Sequence, residues 1–201
     1  MEFDPAEYLG GCDVINIDST HVKRQATRLA ASDVRTTVRN CFHFVRDEIK
    51  HSADYQLNPV TCRASAVLLQ ATGYCYAKSH LLCALLRANR IPAGLCYQRL
   101  SVDGDGAPYC LHGLNAVYLP DSDWYRLDAR GNRDGIDAQF APPVERLAFC
   151  TNLPGEHDLP GIYSTPLPMV VDALRRYSTW DALYDNLPDV ANFGGVSHSP
   201  Q

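Results

Sequence analysis

The chain reads as an α+β protein, and three observations carry that reading. Apolar residues recur at helical spacing through about residue 88, period-two alternation replaces it from about residue 95, and the strand-like runs follow one another over short connections. Helices followed by an antiparallel meander predict a layer of helices packed on one face of a sheet. At 201 residues, 46% hydrophobic and 20% charged, the chain can bury a substantial core. No internal repeat or linker divides it. The expectation is one domain over residues 1–201, with a core at about 30–135, an extension over 136–193 and a disordered Gly/Ser-rich tail over 194–201.

In chain order, a short helix is predicted between Ser19 and Ala30. Ser32 then caps a longer one from about Asp33 to Lys50, whose buried stripe is Val34, Val38, Cys41, Phe42, Val45 and Ile49. Asn58-Pro59 breaks the chain, and a helix over Ala64 to Gln70 stops at Thr72-Gly73. A further helix runs from Cys75 to about Ala88 with Leu82, Leu85 and Leu86 inward, and Pro92 prevents its continuation. Strands are expected over Leu95 to Val102, Leu111 to Leu119 and Trp124 to Ala129, the first two joined through Asp103-Gly104-Asp105-Gly106. Beyond Asn132 the pattern weakens into loop with Pro142-Pro143, and one helical piece is expected around Met169 to Tyr184.

Charge and cysteine usage narrow the function classes. A formal charge of -5 argues against nucleic acid or an anionic membrane as the main partner. No run of about 18 apolar residues predicts a membrane span. The acidic start, Met1-Glu2-Phe3-Asp4-Pro5, does not read as a signal peptide, so the expected location is cytoplasmic. The eight cysteines are then expected to be reduced and mostly buried. None forms a CxxC pair. Cys110-Leu111-His112 could put sulfur and imidazole on one strand face, but spacing for three or four ligands is absent, and neither metal nor cofactor is expected.

One constellation carries chemistry. Gly73-Tyr74-Cys75 places a thiol where a glycine-led loop turns into an apolar helix, against the unpaired N–H groups of the first turn, whose partial positive charge favours thiolate. His112 lies at the start of a strand and Asp128 at the end of the next, which supplies nucleophile, base and orienting carboxylate. Register makes this checkable. If Leu119 pairs with Asp123 across Pro120-Asp121-Ser122, His112 and Asp128 fall on one face as diagonal neighbours; a slip of one residue separates them. His80, five residues after Cys75, is rotated about 140° around the helix from the thiol. His21, His43, His51 and His157 are read as surface or helix-face residues. The backbone N–H of Cys75 and a side chain, Gln70 or Gln56, are the candidates for holding an oxyanion.

These residues resemble the core of the transglutaminase-like superfamily of Cys-His-Asp thiol enzymes. The likeness runs through Ser65-Ala66-Val67-Leu68-Leu69, Gly73-Tyr74-Cys75, Ala84-Leu85-Leu86-Arg87-Ala88, His112-Gly113-Leu114-Asn115-Ala116-Val117-Tyr118-Leu119 and Trp124-Tyr125-Arg126-Leu127-Asp128. The family often has an aromatic residue two after the histidine, where Leu114 stands, and an acidic one where Ala116 stands. The resemblance implies a papain-like arrangement and a Cys75 thioester formed from a peptide, protein or small acyl substrate. The first expectation is a hydrolase, a cysteine protease or amidase. The alternatives are an acyltransferase, whether crosslinking proteins or forming small amides, and a non-catalytic binding module.

Overall fold

The computed structural model describes residues 4–190; the tail expected to be disordered, 194–201, lies outside them. It is an α+β arrangement built around one helix. After a 3-10 turn at Pro5–Tyr8, α1 (Thr20–Leu29) and α2 (Val34–His43) precede β1 (Lys50–His51), α3 (Ala64–Gln70), β2 (Thr72–Gly73) and α4 (Cys75–Ala88). The sheet follows as β3 (Ala93–Ser101), β4 (Tyr109–Leu119) and β5 (Asp123–Leu127), with β6 (His157–Asp158) added late and α5 (Pro168–Arg176) and α6 (Trp180–Tyr184) closing the chain. Strand order is β5-β4-β3-β6, antiparallel at every step.

The bounds of α3 and α4 are those expected from the sequence, and Leu82, Leu85 and Leu86 face inward as expected, but burial extends further around α4. Every residue from Cys75 to Arg87 is buried, Lys78, Ser79, His80 and Arg87 included, so α4 is an all-round buried helix and not an amphipathic one. Its polar side chains reach backbone carbonyls: Ser79 donates to Cys75 at 2.8 Å and Arg87 to Ala93 at 2.8 Å. Around it pack Phe42, Val45, Leu95, Leu111 and Val117.

The predicted helix over 33–50 is shorter than expected and capped differently. Asp33, not Ser32, is the N-cap, its carboxylate accepting the Thr36 N–H at 2.8 Å. After His43 the helix widens into a π turn, Phe44–Glu48. It stops there because the Lys50 N–H goes to Ala71 at 2.9 Å instead of back along the helix, and the Lys78 ammonium takes the carbonyls of Arg46 and Ile49. Val34, assigned to the buried stripe, sits in the first turn and is 36% exposed, while the rest of the stripe is buried. The single late helix is likewise two: Tyr177 is extended, and the segment after it docks on the earlier loop through Val60 N–H to Ser178 (3.1 Å) and Trp180 N–H to Asn58 (2.7 Å).

Candidate active site

Cys75 is the first residue of α4, and two short strands fix where that helix begins. β1 and β2 pair in parallel, Lys50 with Thr72 and His51 with Gly73, and Tyr74 follows as the extended N-cap. Gly73 has no room for a side chain: a Cβ there would meet Ala77 and the Thr61 hydroxyl at 3.0 and 3.1 Å. Gly113 on β4 is equally confined, a Cβ there standing 3.0 Å from the Tyr76 Cα. That close approach brings the Gly113 N–H to 3.5 Å from the Cys75 sulfur, a weak hydrogen bond that favours negative charge on sulfur.

The β4–β5 register is the one the odd-length connection demands, Leu119 opposite Asp123 and Asn115 opposite Leu127. His112 and Asp128 therefore share a face, and Nε2 of the imidazole lies 2.7 Å from Oδ2 of the carboxylate. Both are buried. The carboxylate also accepts the backbone N–H groups of Arg130 (3.0 Å) and Ala148 (3.1 Å). Burial alone would lift the Asp128 pKa; the His112 ring and these N–H donors outweigh it and hold the group below its ordinary value. Burial would lower His112, but the charge of Asp128, then that of the Cys75 sulfur, and hydrogen bonds to both carry its pKa up to about 10. The imidazole is thus held protonated near neutral pH, between a carboxylate and a sulfur.

Cys75 and His112 line a cavity of about 650 Å³ together with His51, Tyr74, Arg130, Phe149 and Trp180, and Asp128 is fully buried behind the imidazole. Phe149 stacks edge-on against the His112 ring at 4.9 Å between centroids. Arg130 grips Asp54 with two bonds of 2.6 and 2.8 Å. The segment after α6 closes over this side of the sheet: Leu111 donates its N–H to Pro188 at 2.8 Å, and Arg99 pairs with both oxygens of Asp189 at 2.7 and 2.8 Å.

The other sequence candidates fall elsewhere. Gln70 is exposed at the end of α3 and Gln56 is exposed in the loop after β1, and neither lines the cavity. His80 faces away from the thiol, its Nδ1 2.9 Å from the Cys62 carbonyl. His21 and His157 are exposed as expected, but His51, read as a surface residue, is buried beside the site. Two-residue strands have no periodicity to reveal them, so nothing local in the sequence marks His51 as buried. Leu114 and Ala116 pack with Cys96 in a second apolar cluster and do not touch the cavity. All eight cysteines are free; Cys41, Cys75, Cys83 and Cys96 are buried, and Cys150 is exposed. Among the described residues no three His, Cys, Asp or Glu side chains converge as metal donors, and no helix is long and apolar enough to cross a membrane.

The sequence model of the transglutaminase-like superfamily matches residues 20–129. Among solved structures, a candidate cysteine protease from Cytophaga hutchinsonii is similar with a TM-score of 0.51 at 18% identity, over 65% of this chain and 43% of that one. The periplasmic domain of TgpA from Pseudomonas aeruginosa is similar with a TM-score of 0.48 at 19% identity, over 64% of this chain and 48% of that one. The match thus spans less than half the length of either protein. No curated protein matches the sequence.

Proposed function

This chain belongs to the transglutaminase-like superfamily, and from that premise we propose that it is a thiol hydrolase, cleaving an amide or related acyl bond through a thioester on Cys75. One observation carries the reading. His112, held by the buried Asp128 at 2.7 Å, lines the same cavity as a helix-start cysteine whose sulfur receives the Gly113 N–H.

The chemistry follows from the positions. The Cys75 sulfur attacks the acyl carbon, and the carbonyl electron pair moves onto oxygen as an oxyanion. Collapse of that intermediate expels the leaving group, which takes the proton carried by His112, and leaves a thioester. Because Nε2 faces Asp128, Nδ1 is the ring nitrogen that exchanges the proton. Water then gives its proton to His112 as it attacks the thioester, and the thiolate departs. Asp128 fixes the ring orientation and stabilises the imidazolium throughout.

The test is direct. Incubation with 4-nitrophenyl acetate should release a burst of nitrophenolate and add one acetyl group to Cys75, seen by peptide mass mapping. An acetyl group confined to lysines, or none on Cys75, would overturn the reading. Added hydroxylamine or a primary amine separates the acyltransferase alternative: hydrolysis predicts acetate as the main product with the amine present, and transfer predicts the amide.

A further inference from the structure

We infer that His51 is a catalytic residue, donating a hydrogen bond to the oxygen of the acyl group held at Cys75; this deepens, and rests on, the thiol-enzyme reading above. The His51 side chain is 8% exposed, and its Nδ1 is buried with no hydrogen-bond partner among the described residues. The nearest carboxylate oxygen, on Asp54, lies 3.7 Å away, beyond hydrogen-bond reach, and that carboxylate is already committed to Arg130. A buried ring nitrogen left unpaired costs stability, so its retention beside a cavity points to a partner that arrives with the substrate.

His51 pairs with Gly73 in the two-strand ribbon and its ring stands edge-on to Tyr74, 5.5 Å between centroids. Its placement is thereby tied to the residues immediately before Cys75. It lines the same cavity as Cys75 and His112. The first N–H groups of α4 have no partner within the helix, so the Cys75 N–H and the imidazole can converge on one oxygen. Gln56 and Gln70, the side chains expected there from the sequence, are both outside the cavity.

Burial, then Arg130, Lys78, His112 and Arg133, hold the His51 pKa well below its ordinary value, while Asp54 is the carboxylate beside it. The ring is therefore neutral at working pH and distinct from the imidazolium at His112. A neutral imidazole is an established way of polarising a carbonyl without handing over a proton. The step balances simply: sulfur bonds to carbon, the C=O electron pair becomes the oxyanion lone pair, and His51 stabilises that charge while keeping its proton.

The experiment compares two reactions of the same thiol. Acetylation by 4-nitrophenyl acetate passes through an oxyanion, whereas alkylation by iodoacetamide does not. His51→Phe should slow Cys75 acetylation by about 10²-fold or more, with alkylation of Cys75 within about twofold of wild type. His51→Gln, which keeps a donor, should recover part of the acetylation rate. Acetylation at the wild-type rate in a His51→Phe protein that circular dichroism shows to be folded would overturn the proposal. Equal losses of acetylation and alkylation would also overturn it, because His51 would then act through the thiol. Absence of acetylation in the wild-type protein is a different result: it removes the thiol-enzyme reading itself.

Discussion

His112 presents Nε2, not Nδ1, to Asp128, at 2.7 Å. The nitrogen nearer the backbone is therefore the one left for Cys75, so the proton-transferring atom is held by the shorter and stiffer end of the side chain. Strand β4 fixes where that end lies, and the carboxylate fixes the rotation of the ring. The arrangement separates three roles that substitution can test.

Cys75→Ala removes the atom that bonds to substrate, and His112→Ala removes the proton carrier; turnover should fall to background in both. Asp128→Asn keeps the shape but loses the countercharge. In a serine triad that change costs about 10⁴ in turnover; a thiol is intrinsically more acidic and should lose less. Steady-state rates on one substrate give the ranking, with circular dichroism to establish folding. A folded Cys75→Ala protein with wild-type turnover would falsify the assignment.

Cys75 should be the thiol alkylated fastest near neutral pH. Burial pushes Cys41, Cys96 and Cys110 up to about 12 and Cys83 up to about 11, so those four hold essentially no thiolate. Cys62 is raised for the same reason. Cys12 and the exposed Cys150 are the competitors, and neither stands at the start of a helix. Brief iodoacetamide treatment followed by peptide mapping decides the matter; label concentrated at Cys12 or Cys150 would remove the nucleophile role from Cys75.

Much of this site was legible in the sequence, and the pattern of misses has a physical cause. Helix bounds set by glycine and proline, as for Ala64–Gln70 and Cys75–Ala88, follow from local chain stiffness. The His112–Asp128 contact follows from strand parity once the connection length is counted. His51 and the end of α2 are different. They depend on the Lys50 N–H choosing Ala71 over its own helix and on a lysine 28 residues later capping the freed carbonyls, and such long-range competition leaves no local periodicity. Gln56 and Gln70 failed for the same reason: proximity in sequence to Cys75 says nothing about which loop the fold brings back to it.

Acid should destabilise the protein before its carboxylates titrate. Burial lowers the His80 pKa to about 4 and holds His51 well below 6.5. An unfolded histidine titrates near 6.5, so between about pH 6.5 and 4 the unfolded chain binds more protons than the folded one. Stability must then fall as pH drops through that window. His112 is protonated in both states only in the lower part of that window; near pH 6.5 and above, its raised folded pKa opposes the slope, because the folded ring keeps a proton that the unfolded one loses. Each buried neutral histidine adds at most about 1.4 kcal/mol per pH unit. Urea unfolding from pH 7 to 4 should show this slope, and His80→Gln should reduce it by up to one proton's worth. Parallel curves for the two proteins would show that His80 does not titrate on unfolding.

The last prediction concerns Gly113, where the sheet and the nucleophile helix meet. A Cβ there would stand 3.0 Å from the Tyr76 Cα and 3.0 Å from its Cδ1. The first is backbone in a fully buried helix, so it cannot rotate aside, and Gly113→Ala must push β4 and α4 apart. Overpacking of this kind costs about 1–3 kcal/mol. The displacement acts at the one place where a β4 N–H meets the Cys75 sulfur, and His112 is the adjacent residue. A shift of roughly 1 Å in reacting groups can cost about 10²-fold in rate; the contact here demands a smaller displacement, so turnover should fall measurably, by up to about that much, while the protein stays folded at 25 °C. The iodoacetamide rate at Cys75 should fall as well, because the substitution moves the thiol's own partners. Gly73→Ala, tight against side-chain atoms of Ala77 and Thr61, should be the milder of the two. Thermal midpoints and turnover measured side by side test the ordering, and wild-type activity in Gly113→Ala would show that the close approach of β4 to α4 is not needed for the chemistry.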